Sequence, residues 1–114
     1  MKRILKVSFI LIPALALMSC SGAAVKKEES SFGDYAAYSL YCLQQNMTED
    51  ALVVLREAEQ KYPRKAELYN NLAVCYEKKG EYALAGEYYQ KALSLSPSST
   101  HIRKNYERFK TLGK

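Results

Sequence analysis

From residue 32 onward, residues of the same type recur at a spacing of 34 along this chain of 114 residues. The pairs that share this spacing are Tyr35 and Tyr69, Ala51 and Ala85, Ala58 and Ala92, and Pro63 and Pro97. A repeat of this length is one supersecondary unit, which cannot bury its apolar face alone and must stack on its neighbours. The period therefore indicates a stack of small units rather than one closed core.

Apolar residues inside each unit follow the spacing of an amphipathic helix. They recur three and four residues apart, at Leu68, Leu72, Cys75 and Tyr76 in one segment and at Leu84, Tyr88, Ala92 and Leu95 in the next. Gly80 separates these segments and suits a left-handed helix end, while Pro97 follows the second segment because it cannot continue a helix. Thr48 is predicted to cap an earlier helix that runs to Lys61. The pattern predicts antiparallel helix pairs.

The second copy of the pattern, residues 66–99, resembles the tetratricopeptide repeat family. The residues that carry the resemblance are Tyr69, Leu72, Ala73, Tyr76, Gly80, Tyr82, Ala85, Tyr89, Ala92 and Pro97. The first copy, residues 32–65, departs from the family pattern at Tyr38, Ser39 and Cys42, and it has Asn46 in place of the turn glycine. Asparagine also adopts left-handed conformations, so a turn is still expected there.

The resemblance implies an all-α fold, namely a short α-solenoid of two helix-turn-helix repeats followed by a capping helix over residues 100–114. The residues support a cap, because Ile102, Tyr106 and Phe109 recur at spacings of four and three while charged residues cover the other face. Ser98, Ser99 and Thr100 offer side chains that can cap the start of this helix.

The first nineteen residues have the parts of a secretory signal: Lys2, Arg3 and Lys6, then an apolar run over residues 7–18. A helix of that run spans about 18 Å, too short for a hydrocarbon core of about 30 Å. The segment ending in Ser19 and Cys20 resembles the lipobox of bacterial lipoprotein precursors, which implies cleavage after residue 19 and lipidation of Cys20. An ordinary cleaved signal with an incidental cysteine is the alternative.

Residues 20–31 are then a lipidated cysteine and a flexible tether, since they are small, polar and charged. The resemblance implies a cell-envelope protein that is lipid-anchored. Ser21 after the cysteine favours the outer membrane, with the domain facing the periplasm.

Neither catalytic nor metal chemistry is predicted. His101 is the only histidine, and the sequence contains no glycine-rich phosphate loop and no metal-ligand spacing. We therefore expect no enzyme, no cofactor and no metal. The formal charge of +5 falls close to neutral without the three leader bases, apart from the basic last helix, so no nucleic acid partner is expected. With Cys20 lipidated, Cys42 and Cys75 form either a disulfide or a pair of buried free thiols.

Tetratricopeptide domains generally bind peptides or protein elements on the concave face formed by the first helix of each pair. Carrying the family positions over predicts a protein-binding groove at Leu40, Asn70, Asn71, Val74, Glu77, Lys104, Asn105 and Arg108. This groove would be apolar at one end and basic at the other. The predicted function is a membrane-anchored, non-enzymatic adaptor that binds a protein or peptide partner. The alternative is a structural homodimer without a groove ligand, which self-associates through the first helix pair at Tyr38, Leu40 and Tyr41.

Overall fold

The computed structural model describes residues 28–112, and within them the chain forms five α-helices and no strand. The helices are α1 (Phe32–Gln44), α2 (Thr48–Lys61), α3 (Ala66–Lys78), α4 (Tyr82–Leu95) and α5 (Thr100–Thr111). The all-α prediction is confirmed. The predictions for the signal peptide over residues 1–19, for Cys20, for the tether up to residue 27 and for the last two residues lie outside the described part of the chain.

The helices stack in chain order as two pairs and a terminal helix. Helix α1 packs on α2, and α3 packs on α4, while α2 contacts α3 and α4 contacts α5. Helices α1, α3 and α5 also contact one another in sequence, so these three form one side of the stack. This order is that of a short α-solenoid, whose single continuous core runs through both pairs.

The core is built from alanines at the close contacts and from larger side chains between them. Ala51, Ala58, Ala85 and Ala92, which recur at the 34-residue spacing, are all fully buried. A larger side chain at these positions would overpack the contact between two helices. Leucines and tyrosines fill the remaining space, and burial of one leucine contributes about 1.5–3 kcal/mol.

Both pairs turn in the same way, although their turn residues differ. Asn46 ends α1 with a φ of 59°, and Gly80 ends α3 with a φ of 78°. In each turn the next N–H donates to the carbonyl five residues earlier, from Met47 to Cys42 in the first pair (2.8 Å) and from Glu81 to Tyr76 in the second (2.9 Å). This is a Schellman motif, which requires a left-handed residue. The expectation that asparagine replaces glycine there is confirmed.

Two helix starts carry side-chain caps, and a third differs from the prediction. The Ser31 hydroxyl accepts from the Asp34 N–H, and the Asp34 carboxylate accepts from the Ser31 N–H (2.7 Å), which closes a capping box at α1. Ser99 caps α5 by accepting from the Ile102 N–H (3.3 Å). The cap predicted at Thr48 is wrong by one residue. The Schellman turn leaves Met47 in the cap position, so Thr48 is already helical.

Candidate functional site

Three of the predicted groove residues form a chain of amides between α3 and α5. Asn105 Nδ2 donates to Asn70 Oδ1 (3.1 Å), and Asn70 Nδ2 donates to Asn71 Oδ1 (3.3 Å). Asn70 and Asn71 are 1% and 3% exposed. The Nδ2 of Asn71 is buried and finds no hydrogen-bond partner among the described residues. A buried donor without an acceptor costs about 1–3 kcal/mol, so this amide is the polar group in the groove that most needs a ligand.

About two turns further along α3, Glu77 joins three helices. Both of its carboxylate oxygens accept from the Arg108 guanidinium of α5 (2.6 and 2.9 Å), and Oε2 also accepts from the Tyr89 hydroxyl of α4 (2.8 Å). Burial opposes ionisation of Glu77, but the bonds from Arg108 and Tyr89 outweigh it and hold the pKa of Glu77 below its ordinary value. Burial, followed by the hydrogen bond to Glu77 and then its charge, raises the pKa of Tyr89. This carboxylate is therefore charged and fully partnered at neutral pH.

The pairing of Arg108 changes the electrostatics expected of the groove. The sequence predicts a basic end at Lys104 and Arg108, but the Arg108 charge is neutralised by Glu77. Lys104 is exposed and takes part in none of the ion pairs in the described chain, so the positive charge of this end rests on Lys104. The two residues predicted at the apolar end differ in burial, because Val74 is half-buried and Leu40 is 46% exposed.

The structure thus brings together Asn70, Asn71 and Asn105 as one cluster, and Glu77 and Arg108 as a second. Leu40, Val74 and Lys104 lie on the same three helices without a hydrogen bond to either cluster. Tyr89 was identified from the sequence only as a residue of the repeat pattern, and its ring is fully buried. Its hydroxyl nevertheless reaches the groove carboxylate, a contact that nothing in the sequence pattern of α4 indicates.

Cys42 and Cys75, the two cysteines among the described residues, carry free thiols in the structure, and both are fully buried in the core. Burial raises the pKa of the Cys75 thiol to about 12, so the thiol is protonated at neutral pH. The disulfide between Cys42 and Cys75 stays a prediction.

In residues 28–112 no group of three His, Cys, Asp or Glu side chains could hold a metal ion. His101 is 64% exposed, and its Nε2 lies 4.0 Å from the Glu67 carboxylate. None of the five helices is long and apolar enough to cross a membrane.

A family model described as tetratricopeptide repeat matches residues 66–99, a range that contains α3 and α4 whole. The match and the helix order together describe a protein that contains a tetratricopeptide repeat in a short α-solenoid of this type. Such repeats generally mediate interactions between proteins. A search among curated proteins found no match.

Proposed function

We propose that this chain is a membrane-anchored, non-enzymatic adaptor of the bacterial envelope that binds a protein or peptide segment on its concave face. The observation that supports this proposal most is the buried amide of Asn71, which lacks an acceptor within the fold. Because this Nδ2 is shielded from solvent, a ligand reaches it only after the amide turns toward the groove, and an oxygen offered there recovers the free energy lost when the amide was buried. Protein backbone carbonyls and carboxylates are such acceptors.

The surroundings of Asn71 add two requirements for the ligand. Val74 lies three residues along α3 and presents a half-buried apolar side chain to the same face. Lys104 on α5 supplies the exposed positive charge, because Arg108 is held by Glu77. We therefore expect a segment with an apolar residue, a hydrogen-bond acceptor and an acidic residue. Asn70 and Arg108 are already bonded within the fold, so they shape the groove rather than supply free donors.

The anchoring part of the proposal rests on the sequence. Lipidation of Cys20 with more than one acyl chain would hold the chain firmly in a bilayer, whereas one chain anchors only marginally. The eleven residues from 21 to 31 reach about 18 Å as a flexible tether. That length is enough for the domain to stand clear of the lipid headgroups at the periplasmic face of the outer membrane.

The groove is tested by selecting ligands for the full chain from a displayed library of random peptides. The selected peptides are then measured against the Asn71→Leu variant, which removes the unpartnered donor and keeps the volume. We expect binding to weaken by roughly tenfold or more, which corresponds to one lost hydrogen bond of about 1.4 kcal/mol. Gln60→Ala on α2 is the control, since its side chain is exposed outside the predicted groove. Equal binding by wild type and Asn71→Leu would contradict the groove assignment.

The anchor is tested separately by phase partition of the full chain in Triton X-114. The wild type is expected in the detergent phase and the Cys20→Ser variant in the aqueous phase. Recovery of the processed wild type from the aqueous phase would contradict lipidation, and it would leave the groove experiment unaffected.

A further inference from the structure

One face of α1 is uncovered, although the corresponding faces of α3 and α5 are covered. Tyr38 and Tyr41 are 50% and 53% exposed, and their rings stack on each other with centroids 6.2 Å apart. At a spacing of 34 the equivalent residues of α3 are Leu72 and Cys75, which are fully buried. A further 34 residues on, Phe109 of α5 is 4% exposed. We call the surface at Tyr38 and Tyr41 the α1 end face.

The preceding helix pair is what covers this face in the other two helices. On α5, Tyr106 and Phe109 pack against the ring of Tyr89 on α4, with centroids 5.9 and 5.3 Å apart. Helix α3 contacts α1 and α2, and Cys75 on its covered face lies near Cys42 of α1. No helix pair precedes α1 within residues 28–112. The geometry of the stack therefore leaves room at the α1 end face for a helical element that arrives from the preceding side.

The chemistry of the α1 end face favours a basic occupant. Helix α1 contains Asp34 and no lysine or arginine. The pKa of Tyr38 is raised, chiefly by the neighbouring Cys42 thiol and to a smaller extent by the charge of Asp50, so Asp50 also lies near this face. Other rings of the protein carry a cation, as where Lys91 lies 4.1 Å from the centroid of Tyr69. Within the described chain, no lysine or arginine covers Tyr38 or Tyr41.

The opposite end of the same molecule has the complementary chemistry. Arg103 and Lys104 are exposed on α5, on the side away from the buried Ile102 and Phe109. Together with Thr100 and Glu107 they line a shallow hollow of about 330 Å³. Since α5 is the last helix of the stack, this is the surface on which a further helix pair would pack. We call it the α5 end face.

We propose that the α5 end face of one copy binds the α1 end face of a second copy, so that the solenoid continues from one molecule to the next. Arg103 and Lys104 then lie over the Tyr38 and Tyr41 rings and near the carboxylates of the first helix pair. A cation over a tyrosine ring contributes more when it is desolvated, as it would be between two end faces. The contact joins two different surfaces, so it is heterologous and leaves a free end at each side of a dimer. Leu40, which the sequence pattern grouped with the two tyrosines, lies about 130° around α1 from the midpoint of that pair and is outside this contact.

The first test places a photo-crosslinking phenylalanine analogue at position 38 of the full chain in its own membranes. The expected product is a dimer whose crosslinked peptide contains residues 100–107 of a second copy. The same analogue at position 40 is the control, and it should not crosslink to that peptide. Products that join position 38 to α1 of another copy, to residues 1–27 of the same chain, or only to a different protein would each overturn the proposal.

The second test uses the two ends separately, with sedimentation of the full chain in detergent micelles. Tyr38→Ser with Tyr41→Ser removes one end face, and Arg103→Glu with Lys104→Glu removes the other. Each double variant alone should associate at least about tenfold more weakly than the wild type, because aromatic and cation–aromatic contacts are lost. Residues 1–27 are unchanged in all variants, so association through that segment is the same throughout.

Mixing the two double variants distinguishes this contact from a symmetric one. Each variant keeps one intact end face, so the mixture should regain one contact and form a dimer that does not grow further. Gln60→Ala on α2 is the control, and it should associate as the wild type does. A mixture that stays monomeric while the wild type associates, or a wild type that stays monomeric at every concentration, would overturn the head-to-tail contact. Added salt should weaken the association, because exposed charges are screened.

Discussion

The two end helices of this short solenoid, α1 and α5, carry aromatic residues at corresponding positions of the repeat, but the exposure of these residues differs. At the α5 end, Tyr106 and Phe109 turn inward onto α4, and charged residues cover the outer surface. At the α1 end, Tyr38 and Tyr41 occupy the corresponding positions and face outward. A stacked repeat must close its apolar ends or give them to a partner. The difference indicates that the α5 end presents a charged surface, whereas the α1 end leaves two aromatic rings exposed.

The largest effect on stability is expected at one position of the repeat, which is buried in α3 and exposed in α1. Leu72→Ala should lower the free energy of unfolding by about 2–5 kcal/mol, because it opens a cavity in a fully buried site. Tyr38→Ala, 34 residues earlier, should change it by about 0.5 kcal/mol or less, because the ring is half exposed. Urea unfolding of the full chain measures both. Similar losses at the two positions would contradict the difference between the covered and the open face.

The next effect concerns the two turns, which use different residues for the same conformation. Gly80→Ala should destabilise the protein by about 1–2 kcal/mol, because a side chain is strained in the left-handed region. Nothing lies within 4 Å of a Cβ built at Gly80, so the loss would come from the backbone alone. Asn46→Gly should be neutral or slightly stabilising, since glycine adopts this conformation freely. Thermal unfolding that ranks the two variants in the opposite order would contradict the shared turn geometry.

A smaller effect on stability is expected from the ion pair between Glu77 and Arg108 near the α5 end. The folded pKa of Glu77 is lowered, so its contribution to stability is present above the unfolded value near 4.5 and is lost as pH falls through the folded value. Glu77→Gln should therefore cost about 1 kcal/mol at pH 7, allowing for the half-exposed Arg108. The difference between the wild type and the variant should shrink in acid. A difference that is constant from pH 7 to pH 3 would show that the pairing with Arg108 contributes nothing.

The smallest effect on stability is expected at Asn71, next to Asn70 in the same amide chain. Asn71→Leu removes a buried donor without a partner, which stabilises the protein, but it also removes the acceptor of the weak bond from Asn70 Nδ2 (3.3 Å), which destabilises it. Because these effects oppose each other, stability should change by about 0.5 kcal/mol or less in either direction. Asn70→Leu breaks a bond to Asn105 and should destabilise the protein by about 1 kcal/mol or more. Equal losses of stability for the two variants in thermal unfolding would mean that Asn71 Nδ2 has a hydrogen-bond partner within the fold and is not a free donor for a ligand.

Much of the fold follows from local patterns in the sequence. The 34-residue spacing and the amphipathic stripes are sufficient to predict the helix pairs, because each pair buries a face that its own residues mark. Asn46 could be recognised as a turn from its left-handed preference alone. The predicted start of α2 was one residue too late, because the Schellman turn places Met47 rather than Thr48 in the cap position. The position of that turn depends on the backbone of the preceding helix.

The candidate site was only partly predictable. Its residues share helix faces, so the periodicity brings them to one surface. Their partners are set by contacts between residues distant in sequence, such as Arg108 with Glu77, 31 positions apart. The sequence indicated a free positive charge at Arg108, whereas the ion pair leaves that role to Lys104. Similarly, the missing acceptor of Asn71 Nδ2 depends on which side chains meet between α3 and α5, as the bond between Asn105 and Asn70 shows, and the sequence does not specify those contacts.

The claim that the concave face binds another protein is tested most directly by photo-crosslinking from Val74. This residue is half-buried beside Asn71 on α3, whereas Val53 on α2 is 68% exposed and serves as the control. With the full chain in its own membranes, position 74 should crosslink to a defined peptide of another protein, and the Asn71→Leu substitution should abolish the product. The account is contradicted if position 74 yields no protein adduct, or if positions 74 and 53 yield the same adducts.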